Sequence, residues 1–206
     1  MSGARWIFFW VYVAVSLHKL RLSVWSRVSR AAQLSSRKTI SVYIVGHSVG
    51  PVGNRVPPHL MPDGTLRTST GPNPEILATH TFANAPPLDI VMVPGGMGNR
   101  VLEQHNDTSV EDFVAARYPQ LKYLLSVCTG AASLAKSGVL DGRRATTNKA
   151  SWAWATKNGN NVNWVPSARW TQDGNIWTSS GVAAGTRAVY SPVVPIEADW
   201  RTKGWT

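Results

Sequence analysis

The chain holds one cysteine, Cys128, in 206 residues. One thiol forms no intrachain disulfide, which excludes a disulfide-stapled secreted fold and fits a reducing compartment. The same count excludes a four-cysteine zinc site. Histidine is sparse, and His18, His47, His59, His80 and His105 all precede Cys128. Acid is missing from a whole region: residues 1–38 carry seven basic residues and no Asp or Glu, whereas the rest of the chain has 14 basic and 11 acidic residues. Most of the formal charge of +10 is therefore local. The nearly balanced remainder shows no basic stripe, so nucleic acid is not an expected partner. Long apolar runs are also lacking. Trp6 to Leu17 is apolar but only 12 residues long, against the roughly 20 that a membrane helix needs.

What is present suits a globular chain. Hydrophobic residues make up 43% and charged residues 16%, enough for one domain with a sizeable core. Residues 1–38 read as a basic N-terminal extension outside the core, 39–190 as the folded domain, and 191–206 as an irregular tail with Pro192 and Pro195. Three readings of the extension stay open. Arg5 before the apolar run resembles a signal-peptide core, but no small-x-small cleavage site follows. The Arg- and Ser-rich stretch from His18 to Lys38 resembles a mitochondrial transit peptide. The third reading gives the segment no role in the fold. The expected location is cytoplasmic, with a mitochondrial or membrane-associated N-terminal segment as the alternatives.

From Thr39 onward strands alternate with helices. Ile40–Val45 alternates and is β-branched, and Leu88–Val93 and Leu121–Val127 are apolar runs typical of buried strands. Residues 46–75 are dense in Gly and Pro and read as loop. A helix is predicted from Thr108 or Ser109 to the stop at Pro119. Thr108 and Glu111 stand at capping-box spacing, and Val110, Phe113 and Val114 share one face. A second helix follows Cys128, and a third is predicted over Lys149–Lys157. Asp173-Gly174 marks a hairpin, and Gly181–Tyr190 a final helix. This order describes an α/β fold: a mostly parallel central sheet with an appended β-hairpin.

Cys128 sits where a strand gives way to a helix, between the small residues Ser126 and Gly130. That is the pattern of a nucleophile elbow. The positive end of the following helix favours thiolate over thiol. In an open α/β sheet, ligands bind beyond the carboxyl ends of the strands. There Gly95 and Gly96, with the amide of Thr129, form a candidate oxyanion pocket. The aromatic cluster Trp152, Trp154, Trp164, Trp170 and Trp177 reads as core and hairpin packing, and Arg143-Arg144 as a solvated turn.

Four motifs carry a resemblance: Val93-Pro94-Gly95-Gly96, Ser126-Val127-Cys128-Thr129-Gly130-Ala131, Gly138-Val139-Leu140-Asp141-Gly142-Arg143-Arg144-Ala145-Thr146-Thr147-Asn148, and Asp173-Gly174-Asn175-Ile176-Trp177-Thr178-Ser179-Ser180-Gly181. In this order they resemble the ThiJ/PfpI family of the class I glutamine amidotransferase-like superfamily, in its isonitrile hydratase branch. The resemblance covers residues 40–187. It implies a flavodoxin-like three-layer sandwich, often a homodimer, a small-molecule substrate, and neither cofactor nor metal. It also implies that Cys128 attacks the substrate carbon, that Thr129 assists, that Asn148 and Ser180 line the pocket, and that an acid near the N-terminus protonates. Water then completes an N-substituted formamide.

Three departures qualify that implication. Residues 1–38 offer no acid and no recognisable opening strand. Asn148 stands where many relatives have histidine, and asparagine orients groups without exchanging protons at neutral pH. Prolines interrupt the expected last helix. A glutamine amidotransferase triad needs a histidine after the cysteine and is excluded. Of the five histidines, His80 and His105 are the candidates for approaching the pocket. Two functions remain: a cysteine-dependent hydratase or hydrolase (a lyase or hydrolase of a small carbon–nitrogen compound such as an isonitrile), or a weak or inactive member. The second would act as a ligand or redox sensor, or would be a truncated gene product.

Overall fold

The computed structural model describes residues 5–9, 41–52, 76–185 and 188. Seven strands form one sheet: β1 (Arg5–Phe9), β2 (Ser41–Gly46), β5 (His80–Thr81), β6 (Ile90–Val93), β7 (Tyr123–Val127), β10 (Trp170–Asp173) and β11 (Ile176–Ser179). Their order is β10-β11-β7-β6-β1-β2-β5. Every neighbouring pair is parallel except the edge pair β10 and β11. Two short pairs lie outside it: β3 (Gly50–Val52) with β4 (Ile76–Ala78), and β8 (Arg144–Ala145) with β9 (Asn163–Trp164).

The helices are α1 (Gly98–Gln104), α2 (Ser109–Arg117), α3 (Gly130–Lys136) and α4 (Trp152–Ala155). The third predicted helix is shorter than Lys149–Lys157, and residues 182–185 are helical at the start of the last one. The tail 191–206 and residues 10–40 lie outside the described residues. Among those that are described, no helix is long and apolar enough to cross a membrane.

The pleat explains the layers. All four residues of β6 are buried, and side chains alternate between the faces of a strand. Val91 and Val93 join Val110, Phe113 and Val114 of α2 and Leu134 of α3 in the larger core cluster. Ile90 and Met92 face the other way, with Leu125, Trp177 and Ala188. A strand buried on both faces is what a parallel sheet between helical layers requires. The flavodoxin-like α/β expectation is therefore met. The hairpin is met too, with Gly174 at φ +58° between the paired residues Asp173 and Ile176. Trp170 and Trp177 stack across it with centroids 5.3 Å apart, and Trp152 meets Trp164 edge-on at 6.1 Å.

One expectation is corrected. The sequence places residues 1–38 outside the core, yet Arg5–Phe9 pairs with β2 on one side and β6 on the other. The run Trp6-Ile7-Phe8-Phe9 is apolar and aromatic, as strand residues are. Its position beside a basic stretch gave it the look of a targeting core.

The loops after β6 and β7 meet at a backbone distance that only glycine allows. A Cβ on Gly130 would collide with the Val93 carbonyl and come within 2.9 Å of the Pro94 carbonyl. Gly130→Ala should therefore destabilise the fold by about 1–3 kcal/mol, read from the urea midpoint. Gly181→Ala, which meets open space, should change it by less than about 0.5 kcal/mol.

Candidate active site

Cys128 stands between β7 and α3 with φ +60°, one of two described non-glycine residues with positive φ. That left-handed backbone costs a side-chain-bearing residue on the order of 1–2 kcal/mol, and the surroundings hold it in place. The Cys128 N–H donates to the Ser179 carbonyl at 2.9 Å. The Thr147 hydroxyl donates to the Cys128 carbonyl at 3.0 Å. The elbow is thus bolted to β11 on one side and to the segment after β8 on the other.

Three neighbouring groups favour the ionised form of the sulfur: the Thr129 N–H, the Thr129 hydroxyl and the Asn148 side chain. The Thr129 hydroxyl is buried and crowded. It accepts from the Gly96 N–H at 2.7 Å and lies 3.2 Å from Asn99 Oδ1 and 3.4 Å from the Gly96 carbonyl. Asn99 Nδ2 in turn donates to Ser133 Oγ at 3.1 Å. Asn148 is held by its own bonds, Nδ2 to the Ser180 carbonyl at 3.3 Å and Oδ1 from the Ser151 N–H at 3.0 Å.

The candidate residues from the sequence therefore converge, with two changes of detail. Gly96 spends its amide on Thr129, so it positions that hydroxyl instead of facing a ligand. Ser180 contributes its carbonyl, which orients Asn148. Gly95 permits the close approach, since a Cβ there would lie 2.5 Å from Thr129 Oγ1. The expected thiolate is also corrected. Burial pushes the Cys128 thiol above its ordinary value, outweighing the bonds from Thr129 and Asn148 that favour the ionised form.

Among the described residues, the histidines do not converge here. His80 bonds the Thr79 hydroxyl and packs edge-on against Tyr43, and His105 caps α1. His47, in the loop after β2, instead meets Ser109 Oγ at 2.7 Å and Asp107 at 3.1 Å. Arg143 pairs with Asp173 at 3.3 Å, closing the turn against the hairpin. Among the described residues no group of three or more His, Cys, Asp or Glu side chains is placed to hold a metal.

Sequence reasoning missed Asn99, Ser133 and Glu111. Ser133 stands four residues after Thr129, a spacing that puts both on one helical face. Glu111 reads as a capping-box carboxylate, but Thr108 makes no side-chain cap bond and its hydroxyl goes to Asp112. Glu111 turns inward to Ser133, and burial raises its pKa above 4.5.

A model of the DJ-1/PfpI family matches residues 25–188. The chain belongs to the DJ-1/PfpI family. An isonitrile hydratase of Pseudomonas putida is 34% identical over 128 residues, 62% of this chain and 54% of that protein. The chain thus spans about half the length of that curated relative. A ThiJ/PfpI family protein from Pseudomonas syringae has a similar structure, with a TM-score of 0.63 and 26% identity, covering 94% of this chain and 69% of that one. DJ-1beta of Drosophila melanogaster shares the fold at 18% identity and a TM-score of 0.62, covering 93% and 88%.

Two outcomes follow for this DJ-1/PfpI site. Thr129→Val leaves the Gly96 N–H without its acceptor, so it should cost about 1–3 kcal/mol of stability. It should also raise the Cys128 pKa further, seen as slower iodoacetamide alkylation at a fixed pH. The second concerns Glu111. A raised folded pKa means stability that is complete below the unfolded value of 4.5 and is lost as pH rises through the folded value. Thermal midpoints measured across that window should fall less steeply in Glu111→Gln than in the wild type.

Proposed function

We propose that the chain hydrates or hydrolyses a small carbon–nitrogen compound through Cys128, with an isonitrile as the representative substrate. The observation carrying this reading is the strained elbow: a cysteine at φ +60° whose sulfur faces Thr129 and Asn148. Backbone strain at a nucleophilic side chain is characteristic of sites where geometry serves chemistry. The relative named as an isonitrile hydratase supports the substrate class.

The raised thiol pKa suits addition to an isonitrile, because sulfur and proton arrive together. The S–C bond forms at the terminal carbon as the thiol proton passes through the Thr129 hydroxyl to that same carbon. One C–N bond of the triple bond is lost, leaving a thioimidate. Water then adds to the carbon, the C–S bond breaks, the sulfur regains a proton, and the N-substituted formamide leaves. Asn148 is placed to orient the substrate nitrogen by hydrogen bonding and cannot supply a proton. The reading takes a small-molecule substrate, no cofactor, no nucleic acid and a homodimer.

A second reading is a family member that binds without turnover and reports oxidation at Cys128. The upward-shifted thiol and the absence of Asp and Glu from residues 1–38 favour it. Incubation with an alkyl isonitrile, with formamide followed by NMR, separates the two. Formamide produced by the wild type and reduced on the order of a thousandfold in Cys128→Ser supports the hydratase. Formamide formed equally by both proteins would sink the nucleophile, and no formamide from either leaves the binding member.

A further inference from the structure

A closed ring of contacts surrounds the elbow, and an arginine completes it. The Thr129 hydroxyl, next to Cys128, lies 3.2 Å from Asn99 Oδ1, and Arg100 follows Asn99 in the first turn of α1. Arg100 Nη2 donates to Ser151 Oγ at 3.3 Å. The Ser151 N–H donates to Asn148 Oδ1 at 3.0 Å, and the preceding residue, Thr147, donates its hydroxyl to the Cys128 carbonyl at 3.0 Å. Arg100 thus spans from the wall after β6 to the wall after β8, the two segments that flank the cysteine.

The charge of Arg100 is held but not neutralised. Its half-buried guanidinium lies over the Trp154 ring, 4.9 Å from the centroid, and an aromatic face attracts a cation without cancelling its charge. Among the described residues Arg100 forms no ion pair, and its side chain donates only to Ser151. The nearby carboxylate, Glu103, is engaged elsewhere: Oε1 meets Lys136 at 3.5 Å, and Oε2 accepts from Trp154 Nε1 at 2.8 Å. Lys149, next to Asn148, is a second cation with no carboxylate partner among the described residues. Its ammonium donates to Thr146 Oγ1 at 2.8 Å and lies 4.6 Å from the Trp152 centroid. One side of the ring therefore presents fixed positive charge.

We propose that Arg100 is a specificity-determining residue that selects substrates carrying a carboxylate. This rests on the reading that Cys128 attacks a small carbon–nitrogen compound. The order of the ring gives the order of the substrate. The reacting carbon lies at Cys128, the nitrogen at Asn148, and the nitrogen substituent leads on toward Ser151 and Arg100. A planar guanidinium matches a carboxylate through two parallel N–H bonds. Because Arg100 has no ion-pair partner among the described residues, an entering carboxylate displaces none of their acids. Lys149 adds attraction of the same sign at longer range.

The test compares two reagents on the full folded chain at one pH: iodoacetate, which carries a carboxylate, and iodoacetamide, which does not. The Cys128 thiolate attacks both, so the ratio of rates cancels the ionisation of the thiol. Relative to a small free thiol, the wild type should favour iodoacetate by about three- to tenfold, and Arg100→Gln should remove that preference. Arg100→Lys, which keeps the charge and loses the fork, should retain part of it. A purely structural Arg100 would change both rates together and leave the ratio unmoved. Salt at about 1 M should erase the wild-type preference, which tests the inference even where Arg100→Gln fails to fold. One common ratio for wild type, Arg100→Gln and the small thiol overturns the inference. With isonitriles, KM for isocyanoacetate should lie below that for methyl isocyanide, and the gap should close in Arg100→Gln. A gap missing from the wild type, or one that survives the substitution, overturns the carboxylate selection. Formamide from neither isonitrile defeats the hydratase reading instead, and the alkylation ratio then decides the anion site by itself.

Discussion

The site depends on the close approach of two turns. The loop after β6 and the elbow after β7 touch through Gly95 and Gly130, and the Thr129 hydroxyl fills the seam between them. Parallel strands bring their carboxyl ends to one edge of the sheet, so two such loops are neighbours by topology. Neighbouring is not sufficient, because peptide planes must approach without an intervening Cβ. Two glycines at that seam make the contact, and one threonine supplies the polar match for the Gly96 amide. Thr129 is held beside the sulfur by this contact, whereas Asn148 is held by its own bonds to Ser180 and Ser151.

Burial and strain act on Cys128 in opposite ways. The left-handed backbone lifts the side chain out of the strand direction and toward the ligand edge. Burial then withholds solvent and keeps the thiol protonated. Bonds from Thr129 and Asn148 recover part of that loss without reversing it. The result is a sulfur held in a fixed direction whose reactivity is set by neighbouring donors and not by a strong base. On the proposed reading, asparagine at position 148 suffices where a histidine would otherwise stand, because the thiol supplies its own proton.

Much of this was legible in the chain itself. The apolar runs ending at Val93 and Val127 and the small residues around Cys128 follow local rules of pleat and turn, so the elbow and the layered sheet could be read directly. Side chains whose partners are distant in sequence were less legible. Glu111 obeys the spacing of a capping box, and only the packing of α2 on α3 shows that it faces Ser133. Asn99 looks like an ordinary loop polar residue, because its partners are 30 and 34 residues away. Arg5–Phe9 is hard to read as a strand for a related reason. A five-residue strand followed by a basic segment has no local signal that separates it from a targeting peptide, and its pairing partners begin at Ser41 and Ile90.

The place of β1 bears on how the molecule is assembled. Among the described residues, β2 and β5 join the sheet ladder of β6, β7, β11 and β10 through β1. Until the beginning of the chain is threaded between them, two half-sheets each expose an unpaired border, and both borders are apolar parallel strands. Pairing of β1 joins Arg5 to Ser41 and Trp6 to Ile90, the kind of long-range contact that slows folding in general. The half bearing Cys128 can gather its own hydrophobic layers beforehand, so the seam that holds the sulfur can form ahead of the completed sheet.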